Sequence, residues 1–402
     1  MLLILGASMS VPLLIALINS ETSAARAFAI VIFLCIFTGF ILRRFFNSFR
    51  YKFKGRDGFF IVAVSWFTAS AVGAAPFMIS GEIPGFFDAF FESASGFSTT
   101  GSSILTDVEA LPRSILFWRS FTHWLGGMGI IVFITALIPA FGINGQIVAS
   151  AETTGPTKNK ILAKFSDNSK EVYRVYIIMT GAETLLLMLG GLPIYDALIH
   201  TFGTVGTGGL SIYNASIGHY NNVYVEIVVA VFMFLAAINF NLFYMVKKRG
   251  VLQIFKDEET KFYTTVTISA GLLIAVYNFI SDSFSQFGEK LLNSFFQVIS
   301  ILTTTGYATD DYDVWPTFSK MVLFTLFFIG GCSSAGGIKG VRVLIGLKII
   351  RRSISLKVHP SRITPITLNE SELSSGTAIK ISNFIFTYLF VFFAGTVLLS
   401  LN

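Results

Sequence analysis

Three short stretches carry the residue types that a site for a bare monovalent cation needs. They are Thr99-Thr100-Gly101-Ser102, Thr204-Val205-Gly206-Thr207 and Thr304-Thr305-Gly306-Tyr307. A potassium ion stripped of water needs its hydration oxygens replaced by backbone carbonyls, and threonine hydroxyls can add to them. Carbonyls turn toward a common axis only where the backbone leaves helix or strand geometry, and glycine does so most readily. None of the three stretches has a charged side chain, which suits a carbonyl filter better than a ring of carboxylates. In the second, residues 202–209 read FGTVGTGG, so Gly208 or Gly209 could replace Gly206 as the central glycine. One such triplet alone marks a tight turn in a helical hairpin. Three copies, each behind a short apolar segment, point to an ion path.

The stretches sit inside a longer repeat. Residues 86–101 read FFDAFFESASGFSTTG and residues 291–306 read LLNSFFQVISILTTTG. Without gaps they share Phe90/Phe295, Phe91/Phe296, Ser95/Ser300, Thr99/Thr304, Thr100/Thr305 and Gly101/Gly306, and Asp88/Asn293 and Glu92/Gln297 are close in shape. Gly206 falls midway between the two glycines. Self-similarity at a steady period indicates copies of one supersecondary unit. Here the unit is a span, a short re-entrant helix, a Thr/Gly loop and a second span. The segments before the loops, 86–97, 194–202 and 291–302, are too short to cross a bilayer. Irregular backbone at membrane depth survives only where protein or a water-filled path surrounds it. A short helix that ends at such a loop points its negative end at a cation. Three units are complete. A fourth opens with a span at about 378–400, and its loop is due near or just beyond residue 402, so the chain is expected to stop before a fourth pore loop.

A bilayer must hold these elements. The 402 residues are 53% hydrophobic and 13% charged, roughly half the charged share of soluble globular chains. Apolar runs at about 1–19, 25–42, 58–80, 114–141, 172–192, 222–246, 262–281, 317–349 and 378–400 are candidate spans. The fold expected is an all-α polytopic membrane protein. Its parts are two leading helices with a basic loop (1–56), pore units at 57–171, 172–261 and 262–370, and the first helix of an incomplete fourth unit (371–402). The cations gather in short loops: Arg43, Arg44, Arg50, Lys52, Lys54 and Arg56, then Lys158, Lys160, Lys164, Lys170 and Arg174. Lys247, Lys248 and Arg249 follow, then Arg351, Arg352, Lys357 and Arg362. All fall on one side, the cytoplasmic side, which places the net charge of +6 against lipid rather than nucleic acid. Glu82, Asp107, Glu109, Asp310, Asp311 and Asp313 fall on the other side with the Thr/Gly loops. The run 1–19 lacks a basic leader and reads as a span, not a cleaved signal. Cys35 and Cys332 lie in apolar contexts, so neither a disulfide framework nor a metal site is expected.

A second interruption lies at 328–340, FIGGCSSAGGIKG. Gly330, Gly331, Cys332, Ser333, Ser334, Ala335, Gly336 and Gly337 should unwind a helix locally. They read as a flexible intramembrane gate beneath the filter; close packing through small residues or a plain loop between two helices would also account for them. Asp310, Asp311 and Asp313 either concentrate cations at the outer mouth or sit in a solvated loop. His200 and His123 read as polar packing residues, and the 43 phenylalanines as lipid-facing and core packing. Two other functions compete. A secondary transporter for a small solute, with a midplane site made by broken helices, explains 328–340 but not the repeated outer loops. An intramembrane hydrolase with Ser333 or Ser334 as nucleophile and His123 or His219 as base needs each pair within hydrogen-bond reach. No spacing here enforces that, so an enzyme is not expected.

The stretches SASGFSTTGSS (93–103), WRSFTHWLGGMGIIVF (118–133), TFGTVGTGGLS (201–211), LTTTGYAT (302–309) and IGGCSSAGGIKGVR (329–342) carry a family resemblance. The chain resembles the membrane subunit of Trk/Ktr-type potassium transporters, of the TrkH kind. That resemblance implies two leading spans followed by four span–pore–span units about a pseudo-fourfold axis, with one pore per subunit. It also implies a homodimer in the cytoplasmic (inner) membrane, a cytosolic ring of nucleotide-binding regulatory subunits, and a gating loop at 330–337. The transported ion would be K⁺, no covalent cofactor is implied, and the ion-binding positions fall on the three Thr/Gly stretches. Glycine at 101 favours K⁺, since family members with serine there tend to pass Na⁺. The chain departs from the family in two respects. Its fourth unit stops before a filter and before the basic residue expected on the final helix, and the stretch at 330–337 is shorter than usual.

Overall fold

In a computed structural model the protein is described over residues 1–46, 55–129, 165–240, 252–281, 287–331, 337–361, 364–369 and 371–401, with single positions at 242, 243, 246 and 250. It is helical, as the sequence leads one to expect. In chain order the helices are α1 (Leu2–Ser8), α2 (Ser10–Ile18), α3 (Thr22–Phe46), α4 (Gly55–Ser80), α5 (Phe86–Phe97), α6 (Arg113–Gly127), α7 (Phe165–Leu189), α8 (Ile194–Val205) and α9 (Val223–Ala236). Then come α10 (Leu252–Lys256), α11 (Glu258–Ser281), α12 (Phe287–Leu302), α13 (Thr317–Ile329), α14 (Gly340–Val358) and α15 (Ser375–Leu399). A two-residue antiparallel hairpin, β1 (Thr367–Leu368) with β2 (Ser371–Glu372), precedes α15. Among the described residues, five helices are long and apolar enough to cross a bilayer: Thr22–Phe45, Phe60–Ser80, Glu171–Leu189, Glu258–Ser281 and Gly376–Leu399.

Prolines set several boundaries. The expected span 1–19 is two helices that meet at Met9. Pro12 explains the break, because its ring crowds the carbonyl four residues earlier, that of Ser8, and offers no N–H to it. Pro112, Pro193 and Pro316 stand immediately before α6, α8 and α13 with φ of −56°, −57° and −55°. The ring thus presets the entry into each helix. The expected span 317–349 is also two helices. α13 ends at Ile329 and α14 begins at Gly340, with positive φ at Gly330, Gly337 and Lys339 between them. Residues 332–336 of that interval lie outside the described residues, as do 130–141 of the expected fourth span. The basic positions Arg50, Lys52, Lys54, Lys158, Lys160, Lys164, Lys247, Lys248, Arg249 and Arg362 lie outside them too.

The chain forms two compact units. The first comprises Met1–Ala236 with Thr305–Asp311. Its core joins Phe28, Phe77, Phe97 and Trp118, and the Trp118 indole N–H donates to the Gly73 carbonyl at 3.0 Å. A neighbouring cluster of Leu116, Phe117, Ile199 and Phe202 ties α6 to α8. Short α5 buries Ala89, Glu92, Ser93, Ser95, Gly96 and Phe97 and turns Phe87 outward, 83% exposed. The second unit comprises Ala237–Thr304 and Tyr312–Asn402. There α11 packs on α12, where Gly271 makes room for Phe295: a Cβ on Gly271 would lie 2.8 Å from its ring. Val341 and Ile345 of α14 pack with Ala378 and Ile381 of α15. Lys348 pairs with Glu258 and donates to the Thr367 carbonyl at 2.7 Å, pinning the hairpin.

Candidate functional site

The three Thr/Gly loops share one backbone conformation. Thr99, Thr207 and Thr304 lie at φ of 55°, 56° and 57°. Two residues later, Gly101, Gly209 and Gly306 lie at 76°, 73° and 90°. A β-branched residue in the left-handed region is an outlier that costs about 1–2 kcal/mol, and three equivalent ones are a repeated device. Such strain collects at binding sites and switches. The hydrogen bonds repeat as well. The amides of Thr99, Thr207 and Thr304 donate to the carbonyls of Gly96, Thr204 and Ile301 at 3.1, 3.0 and 3.0 Å. Those of Thr100 and Gly208 donate to Ser95 and Gly203 at 3.0 and 2.8 Å.

This equivalence decides which glycine is central in the second loop. Thr204 and Val205 form the last turn of α8, and Gly206 caps it with ordinary helical angles. The counterpart of Thr99-Thr100-Gly101 is Thr207-Gly208-Gly209, the alternative that three nearby glycines leave open in the sequence.

The loops also touch. A Cβ on Gly101 would lie 2.1 Å from the Gly208 carbonyl oxygen, and one on Gly209 would lie 1.8 Å from that of Thr305. Loop one therefore abuts loop two, and loop two abuts loop three, each through a carbonyl that only glycine admits. Tyr307 anchors the third loop. Its hydroxyl lies 3.1 Å from the His200 carbonyl and 3.4 Å from that of Leu210, in space left by Gly203. The Gly218 amide donates to the Ala308 carbonyl at 3.1 Å. Helices α5 and α8 end at Phe97 and Val205, so each delivers its negative end to a loop.

A buried polar network braces the loops. Nine residues before each loop glycine stand Glu92, His200 and Gln297, all buried. The Glu92 carboxylate accepts from the Ser103 hydroxyl at 3.1 Å and the Ile104 amide at 3.2 Å. His200 Nε2 lies 3.1 Å from the Ser211 hydroxyl. Ser103 and Ser211 are both two residues past their loop glycine, so the short helix clasps the outgoing segment of its loop in the same way twice. Arg119 of α6 joins the two clasps. Its Nε pairs with Glu92, and its Nη1 donates to the Ser211 carbonyl at 3.3 Å. A charged residue inside an apolar helix is the sequence signal that marks Arg119; its partners lie 27 and 92 positions away and are not visible from spacing.

The other singled-out residues sit as follows. Asp107 and Glu109 bind Asn214, accepting from its side-chain and backbone N–H groups at 3.0 Å each. Asp310 accepts from the Asp311 amide at 2.9 Å, and the Asp313 carbonyl accepts from Lys320 at 2.9 Å. His219 stacks on Tyr213 with centroids 3.5 Å apart. His123 lies fully buried against Gly208. Burial and the nearby charge of Glu21 push the Glu82 carboxyl up from the usual carboxylate range. Of the stretch expected to gate, Gly330, Gly331 and Gly337 are described, and the Gly331 carbonyl accepts from the Gly340 amide at 3.4 Å. Cys332, Ser333, Ser334, Ala335 and Gly336 lie outside the described residues.

Comparison with known proteins gives one consistent neighbourhood. The family described as "TrkH: Cation transport protein" matches residues 24–402. The Trk system potassium uptake protein TrkH of Salmonella typhimurium is 33% identical over 398 residues, which is 98% of this chain and 82% of that protein. The Trk system potassium uptake protein TrkG of Escherichia coli is 33% identical over 387 residues, 95% of this chain and 79% of its own length. The crystal structure of the potassium transporter TrkH from Vibrio parahaemolyticus superposes with a TM-score of 0.85 at 30% identity, covering 98% of this chain and 82% of that one.

Proposed function

The chain belongs to the TrkH cation transport protein family, and on that premise we propose that it takes up K⁺ across the cytoplasmic membrane through a path lined by the carbonyls of its Thr/Gly loops. The observation that carries the proposal is the repeated backbone: a left-handed threonine and a positive-φ glycine two residues on, three times, with Gly101 set against the Gly208 carbonyl and Gly209 against that of Thr305. Such carbonyls can replace the hydration oxygens of K⁺ without a charged side chain. The filter residues are then Thr99–Ser102, Thr304–Tyr307 and, in the second loop, Thr207–Leu210. Thr204, Val205 and Gly206 support that loop from the end of α8.

The loops follow one another in chain order, which is the order of a ring. A fourth loop, the expected companion of the helix at 375–399, would complete it about a pseudo-fourfold axis. The interval 330–337 is proposed as the intramembrane gate, because α13 and α14 break around it. Homodimeric assembly and a cytosolic nucleotide-binding ring are proposed from the family resemblance. Membership in a transporter family sets the hydrolase aside, and the paired loops favour an ion over an organic solute. The test is uptake of Rb⁺, a K⁺ stand-in, by vesicles holding the complete protein, with Na⁺ as competitor. Selective Rb⁺ entry is expected; entry of Na⁺ at an equal rate would refute a K⁺ filter.

A further inference from the structure

Gly208 departs from its sister loops. Between the left-handed threonine and the positive-φ glycine, the first and third loops carry Thr100 and Thr305. Backbone conformation does not demand glycine at 208, which has no positive φ, in contrast to Gly209. A side chain is excluded there by His123 of α6. A Cβ built on Gly208 would lie 2.2 Å from the imidazole Nδ1, 2.3 Å from Cγ and 2.5 Å from Cε1. The ring takes the space into which a threonine side chain would project. It is fully buried, and neither nitrogen has a hydrogen-bond partner among the described residues. A polar ring held without partners is disfavoured in a core, so an apolar side chain would fill the same volume more favourably. Simple packing does not account for histidine at this place.

We propose that His123 is a specificity-determining residue of the second loop: its imidazole, supplied from α6, stands in for the threonine side chain that Gly208 lacks and fixes the Gly208 carbonyl against Gly101. The inference rests on the filter reading above, because that carbonyl is one of the oxygens offered to the ion. It makes the loop chemically unlike its neighbours, with an imidazole where they have a hydroxyl and a methyl group. The loop and α6 are therefore keyed to each other. Glycine at 208 requires the ring, and the ring requires glycine.

The test is a pair of substitutions in the complete protein, read by K⁺/Na⁺ selectivity in proteoliposomes and by thermal melting in detergent. Gly208→Thr gives the second loop the side chain of its sisters. It should lower the melting temperature and reduce K⁺/Na⁺ selectivity about tenfold or more, because a side chain forced against the ring overpacks the site and displaces the Gly208 carbonyl. Adding His123→Ala removes the ring and should restore both. His123→Ala alone should melt near wild type yet lose selectivity, since the carbonyl is left without its backing. Wild-type selectivity, measured first, bears on the filter reading by itself. The comparison among variants then bears on His123. If Gly208→Thr fails to fold while the double variant folds and selects K⁺, the keyed pair stands. Wild-type behaviour of Gly208→Thr would overturn the proposal, as would a double variant no better than the single one. Melting that recovers without selectivity would show a packing contact only, which also overturns it.

Discussion

Arg119 offers the most quantitative test of the bracing network. Its side chain is 3% exposed and that of Glu92 is fully buried, so neither charge is screened by bulk water. Arg119→Met keeps the length and apolar stem but leaves the buried Glu92 carboxyl with only the Ser103 and Ile104 donors. Removing one partner of a buried ion pair costs about 3–5 kcal/mol. Loss of the charge-assisted bond to the Ser211 carbonyl belongs within that range, since such bonds contribute about 1.5–3 kcal/mol. Glu92→Gln removes the charge while keeping an acceptor for Ser103. In the Arg119→Met background it should therefore recover about 2 kcal/mol. The assay is SDS-driven unfolding of purified protein in mixed micelles, run as a four-member cycle. Because Arg119 links Glu92, which holds Ser103 and Ile104 after the first loop, to Ser211 after the second, K⁺/Na⁺ selectivity should fall along with stability in the single Arg119 variant. Additive free energies, with a coupling below about 0.5 kcal/mol, would refute the network.

Further outcomes follow from the same geometry. Gly101→Ser should lower the K⁺/Na⁺ permeability ratio about tenfold or more, because strain at positive φ adds to a clash with the Gly208 carbonyl; an unchanged ratio would remove Gly101 from the filter. Gly209→Ala should do the same. Gly206→Ala, whose Cβ would press on the Phe202 and His123 carbonyls at 2.6 and 2.7 Å, should instead reduce the yield of folded protein and leave the ratio unchanged. Glu82→Gln tests the outer acids. A carboxyl raised in the folded state disfavours folding once it ionises, so the substitution should raise the melting temperature at pH 7 and have no effect near about pH 3. Deleting 330–337 should raise flux in the absence of any regulatory partner; flux at background from a folded protein would mean that the stretch is packing.

The helices were largely legible because apolar runs of membrane length have few other uses, and the repeat made two of the three like-shaped Thr/Gly loops plain through Thr99–Gly101 and Thr304–Gly306. The register of the second loop was not legible. Gly206, Gly208 and Gly209 are interchangeable by composition, and the left-handed angle at Thr207 with the positive φ of Gly209 separates them. Counted from Gly209, His200 falls in line with Glu92 and Gln297, whereas the same count from Gly206 ends at Ala197. The break at Met9 was readable in principle from Pro12, but the hydrophobic run around it dominates any window average. Arg119 and Glu92 are each visible as charges in apolar segments. Their pairing, and the link to Ser211, depends on how α5, α6 and α8 pack, and no local pattern encodes that.

The central claim is that carbonyls of the Thr/Gly loops select K⁺, and the reversal potential of the complete protein in a bilayer tests it most directly. Under a tenfold K⁺ gradient with symmetric Na⁺, the account predicts a shift close to the K⁺ equilibrium value, about 59 mV, and little response to the same gradient of Na⁺. Equal shifts for the two ions, or none for either, would contradict it.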